Sequence, residues 1–253
     1  MPYSDCVTDV TDVTDVTDEP GEPAEPAAPR SLLVRMLAEA LGSAGLITAV
    51  VGSGIMATRL TDDIGVQLLI NALATAAALV VLIVVLAPVS GAQLNPAVTA
   101  ALAAQRLVPL REILPTVLAQ IVGFVLGAML ANLMYGGAVV SISTTVRADL
   151  GLLLGEVVAT AGLVAVILTL VLRGQQGWVP AAVGLYIGSA YFVTSSTSFA
   201  NPGITIGRVF SDTFAGIAPE SVLPFLAAQL VGAALGVLVV RLVLAEREPR
   251  RLD

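Results

Sequence analysis

Apolar residues dominate six runs of this chain, at 36–58, 64–89, 113–135, 151–172, 179–194 and 222–245, and polar residues punctuate them. A helix needs about 20 apolar residues to cross a hydrocarbon core about 30 Å thick, and most of these runs reach that length. The run at 179–194 is the shortest, and could extend to about 199 or be broken. The pattern predicts an all-α integral membrane protein.

Two segments interrupt the pattern in the same way: "SGAQLNPAVTAAL" (90–102) and "SFANPGITIGR" (198–208). Asn followed by Pro starts a helix, with Asn as the N-cap and Pro at the first helical position. Asn95-Pro96-Ala97 and Asn201-Pro202-Gly203 therefore open two helices. From Asn95 to Gln105 is eleven residues, roughly 16 Å of helix and about half the hydrocarbon thickness. The segment from Asn201 to about Phe210 is similar. Half-helices of this kind are re-entrant, which is tolerated at membrane depth only beside a watery cavity or buried in protein.

The chain also repeats. "ILPTVLAQIVGFVLG" (113–127) and "VLPFLAAQLVGAALG" (222–236) share Pro, Ala-Gln, Val-Gly and Gly at an offset of 109. Gly123/Gly127 and Gly232/Gly236 give each helix a small face for close contact. "LAEALGSAGLITAV" (37–50) and "LGEVVATAGLVAVI" (154–167) match as well, each with one acid, Glu39 or Glu156. These features divide a channel domain at 30–246 into repeats at about 30–137 and 150–246. Three spans per half is an odd number, so the halves are inverted. Nine arginines then share the side of both termini, against Arg59, Arg147 and Arg208 opposite. The positive-inside rule places both termini in the cytoplasm.

Inversion brings the two half-helix N-termini together near the midplane, each with about half a positive charge. If each Asn oxygen caps its own helix, the amide NH₂ of Asn95 and of Asn201 is free to donate into the path. Neutral solutes with oxygen acceptors are welcomed there, and cations are repelled.

Composition narrows the chemistry. The 253 residues are 57% hydrophobic and 12% charged, with mean hydropathy +0.92. The net charge of −7 is mostly a tail effect, because residues 1–29 hold eight acids and no base. That Pro-rich, low-complexity segment reads as a disordered cytoplasmic tail, and 247–253 as a short C-terminal one. There is no histidine, which removes histidine-based metal binding, general-base chemistry and pH sensing. Neither a cofactor, a metal nor a nucleic-acid partner is expected. The single cysteine, Cys6, lies in the tail and allows no intramolecular disulfide. No nucleophile–base pair suggests an enzyme.

The paired Asn-Pro motifs, the two glutamates and the repeat plan resemble the major intrinsic protein family of aquaporins and aquaglyceroporins, over residues 32–245. The resemblance implies six spans plus two half-helices, a pore in each protomer and a homotetramer, with the inner (plasma) membrane as its home. It also suggests that Glu39 and Glu156 brace the re-entrant loops through backbone hydrogen bonds; a proton relay is the alternative role for these acids. The family's constriction positions fall, by spacing, at Thr75, Ser189, Ser198 and Ile204.

Here the chain departs from the family. Ile204 stands where an arginine is usual, and Thr75 and Ser189 stand where water-selective members carry aromatic and His residues. Gly203 replaces Ala with a small expected effect, and Gln93 replaces a common His. The expected filter is wide and uncharged. Arg208 lies four residues before Asp212 and is expected to pair with it along one helical face at the rim; a displaced filter arginine is the alternative. The stretch "RVFSDTFAGIAPESVLPF" (208–225) resembles a bacterial subgroup associated with arsenic-resistance genes. The expected function is a passive channel for small neutral solutes, including arsenous acid and polyols such as glycerol, with some water. A water-selective pore, a proton-coupled transporter and a non-conducting scaffold are the alternatives.

Overall fold

The computed structural model describes residues 30–245, so the expectations for the two tails and Cys6 fall outside the described residues. Eight α-helices follow in order: α1 (Leu32–Leu60), α2 (Ile64–Ser90), α3 (Pro96–Ala104), α4 (Leu110–Met134), α5 (Leu150–Leu172), α6 (Val179–Val193), α7 (Pro202–Gly207) and α8 (Pro219–Ala245). Local chemistry sets several of the ends. Asp63 caps α2 by accepting from the Val66 N–H at 2.9 Å, and Gly91 ends it at φ +89°, a conformation glycine adopts without a steric cost.

Helices α1, α2, α4, α5 and α8 are long and apolar enough to cross a membrane. Helix α6 has 15 residues, about 22 Å at 1.5 Å per residue, and a 3-10 turn at Gln176–Trp178 precedes it. Leu41, Leu185 and Leu223 are 69, 75 and 76% exposed. Water would not tolerate so much contiguous apolar surface on a monomer, whereas lipid chains do. The chain is a multi-pass membrane protein.

Packing follows the repeat. Helix α1 lies along α4, and α5 lies along α8. A methyl group at Gly123 or Gly127 would collide with the backbone of Ala40 or Ala44. In the second half, a Cβ at Gly232 or Gly236 would sit 2.5 Å from the carbonyl oxygen of Val157 or Ala161. The paired glycines thus set how closely the helices approach. Helices α2 and α6 join the halves, and the short α3 and α7 fill the space between them.

Candidate pore and filter

Each loop that leads into a short helix, α3 or α7, is held by one buried glutamate. Glu39, on α1, accepts from Ser90 Oγ (2.7 Å), Gln93 N (2.9 Å), Leu94 N (2.8 Å) and Gln120 Nε2 (2.8 Å). Glu156, on α5, accepts from Phe199 N (2.9 Å), Ala200 N (2.9 Å) and Gln229 Nε2 (2.6 Å). The loops need holding. Ala92 and Leu94 have φ of 45° and 46°, and their counterparts Ser198 and Ala200 have 50° and 47°. Non-glycine residues in this left-handed region cost roughly 1–2 kcal/mol each, and hydrogen bonds to a charged acceptor, about 1.5–3 kcal/mol each, offset that.

The half-helices begin at the two asparagines. Asn95 Oδ1 accepts from Ala97 N at 2.9 Å, and Asn201 Oδ1 from Gly203 N at 2.9 Å. Their amide nitrogens cross over. Asn95 Nδ2 donates to the Ala200 carbonyl and Asn201 Nδ2 to the Leu94 carbonyl, both at 2.8 Å. This reciprocal clasp ties the halves together. It also corrects the expectation that each whole NH₂ group is free: of its two protons, one is committed to the opposite loop.

Three cavities that share lining residues adjoin this clasp. On the face carrying Arg35, a cavity of about 390 Å³ is lined by Gln93, Val98 and Gln176. A second, of about 40 Å³, lies between Asn95, Asn201, Thr75, Tyr191, Ile204 and Arg208. A cavity of about 200 Å³ beside Arg147 and Thr197 lies beyond Arg208. One water needs about 10–15 Å³ of such space, so the smallest of the three has room for a few waters.

The sequence profile of the major intrinsic proteins matches residues 28–200. The chain belongs to that family. It is 44% identical over 215 residues to the aquaglyceroporin AqpS of Rhizobium meliloti, covering 85% of this chain and 92% of the relative. It is 31% identical to aquaporin Z of Bradyrhizobium diazoefficiens, covering 81% and 90%. The aquaglyceroporin structure from Plasmodium falciparum shares the fold, with a TM-score of 0.63 and 24% identity over 83% of this chain and 94% of that one.

In this family member two of the expected filter and rim residues, Ser189 and Arg208, lie elsewhere than expected. Thr75, Ser198 and Ile204 line the narrow cavity. Ser189 does not: it is exposed. Two positions along α6 rotate a side chain by about 200°, and Tyr191 takes the pore face, its hydroxyl 3.1 Å from Thr75 Oγ1. The second revision concerns Arg208. Helix α7 ends at Gly207, a single 3-10 turn spans Arg208–Phe210, and Ser211 is extended. The i,i+4 spacing to Asp212 is therefore not helical. Arg208 turns inward, 3% exposed, with its guanidinium carbon 3.5 Å from the centre of the Phe199 ring and its Nε on the Ala215 carbonyl. Asp212 Oδ1 instead accepts from Thr144 N (2.9 Å) and Thr144 Oγ1 (3.2 Å). No rim ion pair joins Arg208 to Asp212 among the described residues; Arg35 pairs with Glu112 at 2.6 Å. An aromatic ring, Tyr191, and a cation, Arg208, thus line the narrow cavity.

Gly203 also has a stricter cause than expected: the Phe124 ring occupies the space where an alanine methyl would lie. Gln120 and Gln229 escaped the sequence reading as site residues. Each bridges its glutamate to a half-helix threonine, Thr99 at 3.1 Å or Thr205 at 2.8 Å. Their signal was present, since both fall in the 109-residue repeat as Ala-Gln.

Proposed function

We propose that this family member is a passive channel for small neutral solutes, polyols such as glycerol and arsenous acid among them, with some water. The observation that carries the reading is the mixed polar and aliphatic lining of the narrow cavity. Thr75, Tyr191, Ser198 and Arg208 bring polar groups to the lining, while Leu46, Val50, Leu163, Ile187 and Ile204 are aliphatic. A polyol combines the same two chemistries, hydroxyls along one edge and C–H groups along the other. Ser198 Oγ is buried with no partner, and an unmet hydroxyl of this kind favours a solute that supplies one. Arsenous acid carries three hydroxyls on a glycerol-sized frame and fits the same lining.

The remaining roles follow from this reading. Asn95 and Asn201 each keep one amide proton for the passing solute, and Pro96, Ala97, Pro202 and Gly203 start the half-helices that carry them. Glu39 and Glu156 brace the loops. Arg208, one turn past Ile204, acts as a displaced filter cation that opposes the entry of positive ions. Helix α6 serves as a sixth span and α3 and α7 as re-entrant segments. Both termini lie in the cytoplasm, and the protein works as a homotetramer in the inner (plasma) membrane.

Stopped-flow light scattering on proteoliposomes tests this. In hyperosmotic glycerol or arsenous acid, shrinkage reports water and reswelling reports solute entry. Reswelling faster than that of empty liposomes is expected. Rapid shrinkage without reswelling would mean a water pore instead.

A further inference from the structure

Beside the narrow cavity two arginines line a second one, and neither has an acidic partner among the described residues. Arg147, in the loop between α4 and α5, donates from its Nε to the Gly216 carbonyl at 3.0 Å and from its backbone N–H to Ser221 Oγ at 2.8 Å. Arg208 commits its Nε to the Ala215 carbonyl. Their guanidinium carbons lie 5.3 and 3.5 Å from the centre of one ring, that of Phe199, which places them within about 9 Å of each other. The Nη groups of both have no hydrogen-bond partner among the described residues, and both side chains line the same cavity of about 200 Å³.

Three carboxylates of these elements are hydrogen-bonded elsewhere. Glu156 is taken by Phe199, Ala200 and Gln229, and Asp212 by Thr144. Asp63 caps α2. An aromatic face and two carbonyl oxygens make a pair of cations tolerable, but they do not neutralise them. Thr197 adds a hydroxyl to the same wall, and Asn71, whose two amide protons go to Val50 O and Ser53 Oγ, faces it from α2.

We infer that this outer cavity is a binding site for a small oxyanion, held by the free Nη groups of Arg147 and Arg208 and by the Thr197 hydroxyl. Two guanidinium groups line one cavity, whose remaining wall includes the apolar Ile64, Leu68 and Phe214, and together they match the several oxygens of a phosphate-like ion. The occupant is a free ion rather than a lipid headgroup, because the cavity adjoins the narrow one between the half-helices: Arg208 lines both. The site goes beyond the proposed neutral-solute path, and binding at it is measurable whether or not any solute is conducted.

The test is equilibrium dialysis of the purified full chain in detergent against radiolabelled inorganic phosphate, at constant ionic strength. Saturable binding of one phosphate per chain is expected. Arg147→Gln should weaken it at least about tenfold, the loss of one charge-assisted contact. Arg147→Lys, which keeps the charge but not the fork, should lose less than Arg147→Gln, and Arg59→Gln, stacked on Tyr135, should not change it. Absence of saturable binding in the parent chain would overturn the inference. So would unchanged binding in Arg147→Gln, or equal loss in monodisperse Arg147→Gln and Arg147→Lys. Phosphate that binds only when anionic detergent or lipid is removed would assign the cavity to a headgroup and overturn the free-ion assignment.

Discussion

Replacing Glu156 by Gln removes one charge and changes almost no volume, so it isolates what the carboxylate does for its loop. Thr197, Ser198 and Ala200 all have left-handed backbones, with φ of 60°, 50° and 47°. At roughly 1–2 kcal/mol each, this loop stores about 3–6 kcal/mol. Three hydrogen bonds to the carboxylate return about 4.5–9 kcal/mol at 1.5–3 kcal/mol each. A glutamine can keep its oxygen at the position shared by Ala200 N and Gln229 Nε2, but its NH₂ then faces the Phe199 N–H. One buried donor is orphaned, at about 1–3 kcal/mol, and the surviving bonds lose their charge assistance. A net loss of about 3 kcal/mol is a factor of about 100 in local opening at 1.4 kcal/mol per tenfold. Hydrogen exchange at the Phe199 and Ala200 amides measures that factor directly. Exchange accelerated by about 100-fold, with α2 amides unaffected, is the expected result. Acceleration below threefold would refute the bracing argument, and flux that instead became insensitive to a proton gradient would point to a relay.

Two further substitutions address the revised filter. Asp212→Asn should leave solute and water flux within twofold, because the carboxylate pins Thr144 rather than Arg208; a tenfold change in reswelling rate would restore the rim pair. Ile204→Arg puts a second guanidinium into a cavity of about 40 Å³ that already holds Arg208, so glycerol reswelling should fall at least about tenfold while osmotic shrinkage persists. Undiminished glycerol entry would remove Ile204 from the constriction.

What the sequence reveals here, and what it hides, depends on how local each feature is. The asparagine caps are legible because a capping side chain bonds its own helix two or three residues on, and Asn95 and Asn201 do so. The paired glycines are legible because close approach demands small residues wherever the partner lies. Ser189 and Arg208 were misplaced for the opposite reason. The facing of a residue on α6 depends on where that helix begins and how it is rotated against α2, and a count carried from a distant asparagine accumulates error. Arg208 depends on α7 stopping at Gly207. Nothing in "TIGRVFSD" announces a 3-10 turn there, and helical spacing continued past the true end gave Asp212 as the partner. The clasp from Asn95 to Ala200 and from Asn201 to Leu94 could not be read at all, since it exists only once both halves are assembled.

The central claim is that solute passes between the two half-helices, and a cysteine placed in that path tests it most directly. Cys6 is the chain's one cysteine, so Cys6→Ser provides a thiol-free background. On it, Ser198→Cys places a thiol on the narrow cavity and Ser189→Cys places one outside it. After treatment with a small methanethiosulfonate reagent, with labelling quantified by mass, the account predicts glycerol reswelling at the level of empty liposomes for Ser198→Cys and unchanged reswelling for Ser189→Cys. An unlabelled thiol at position 198, or a fully labelled one with undiminished flux, would contradict it.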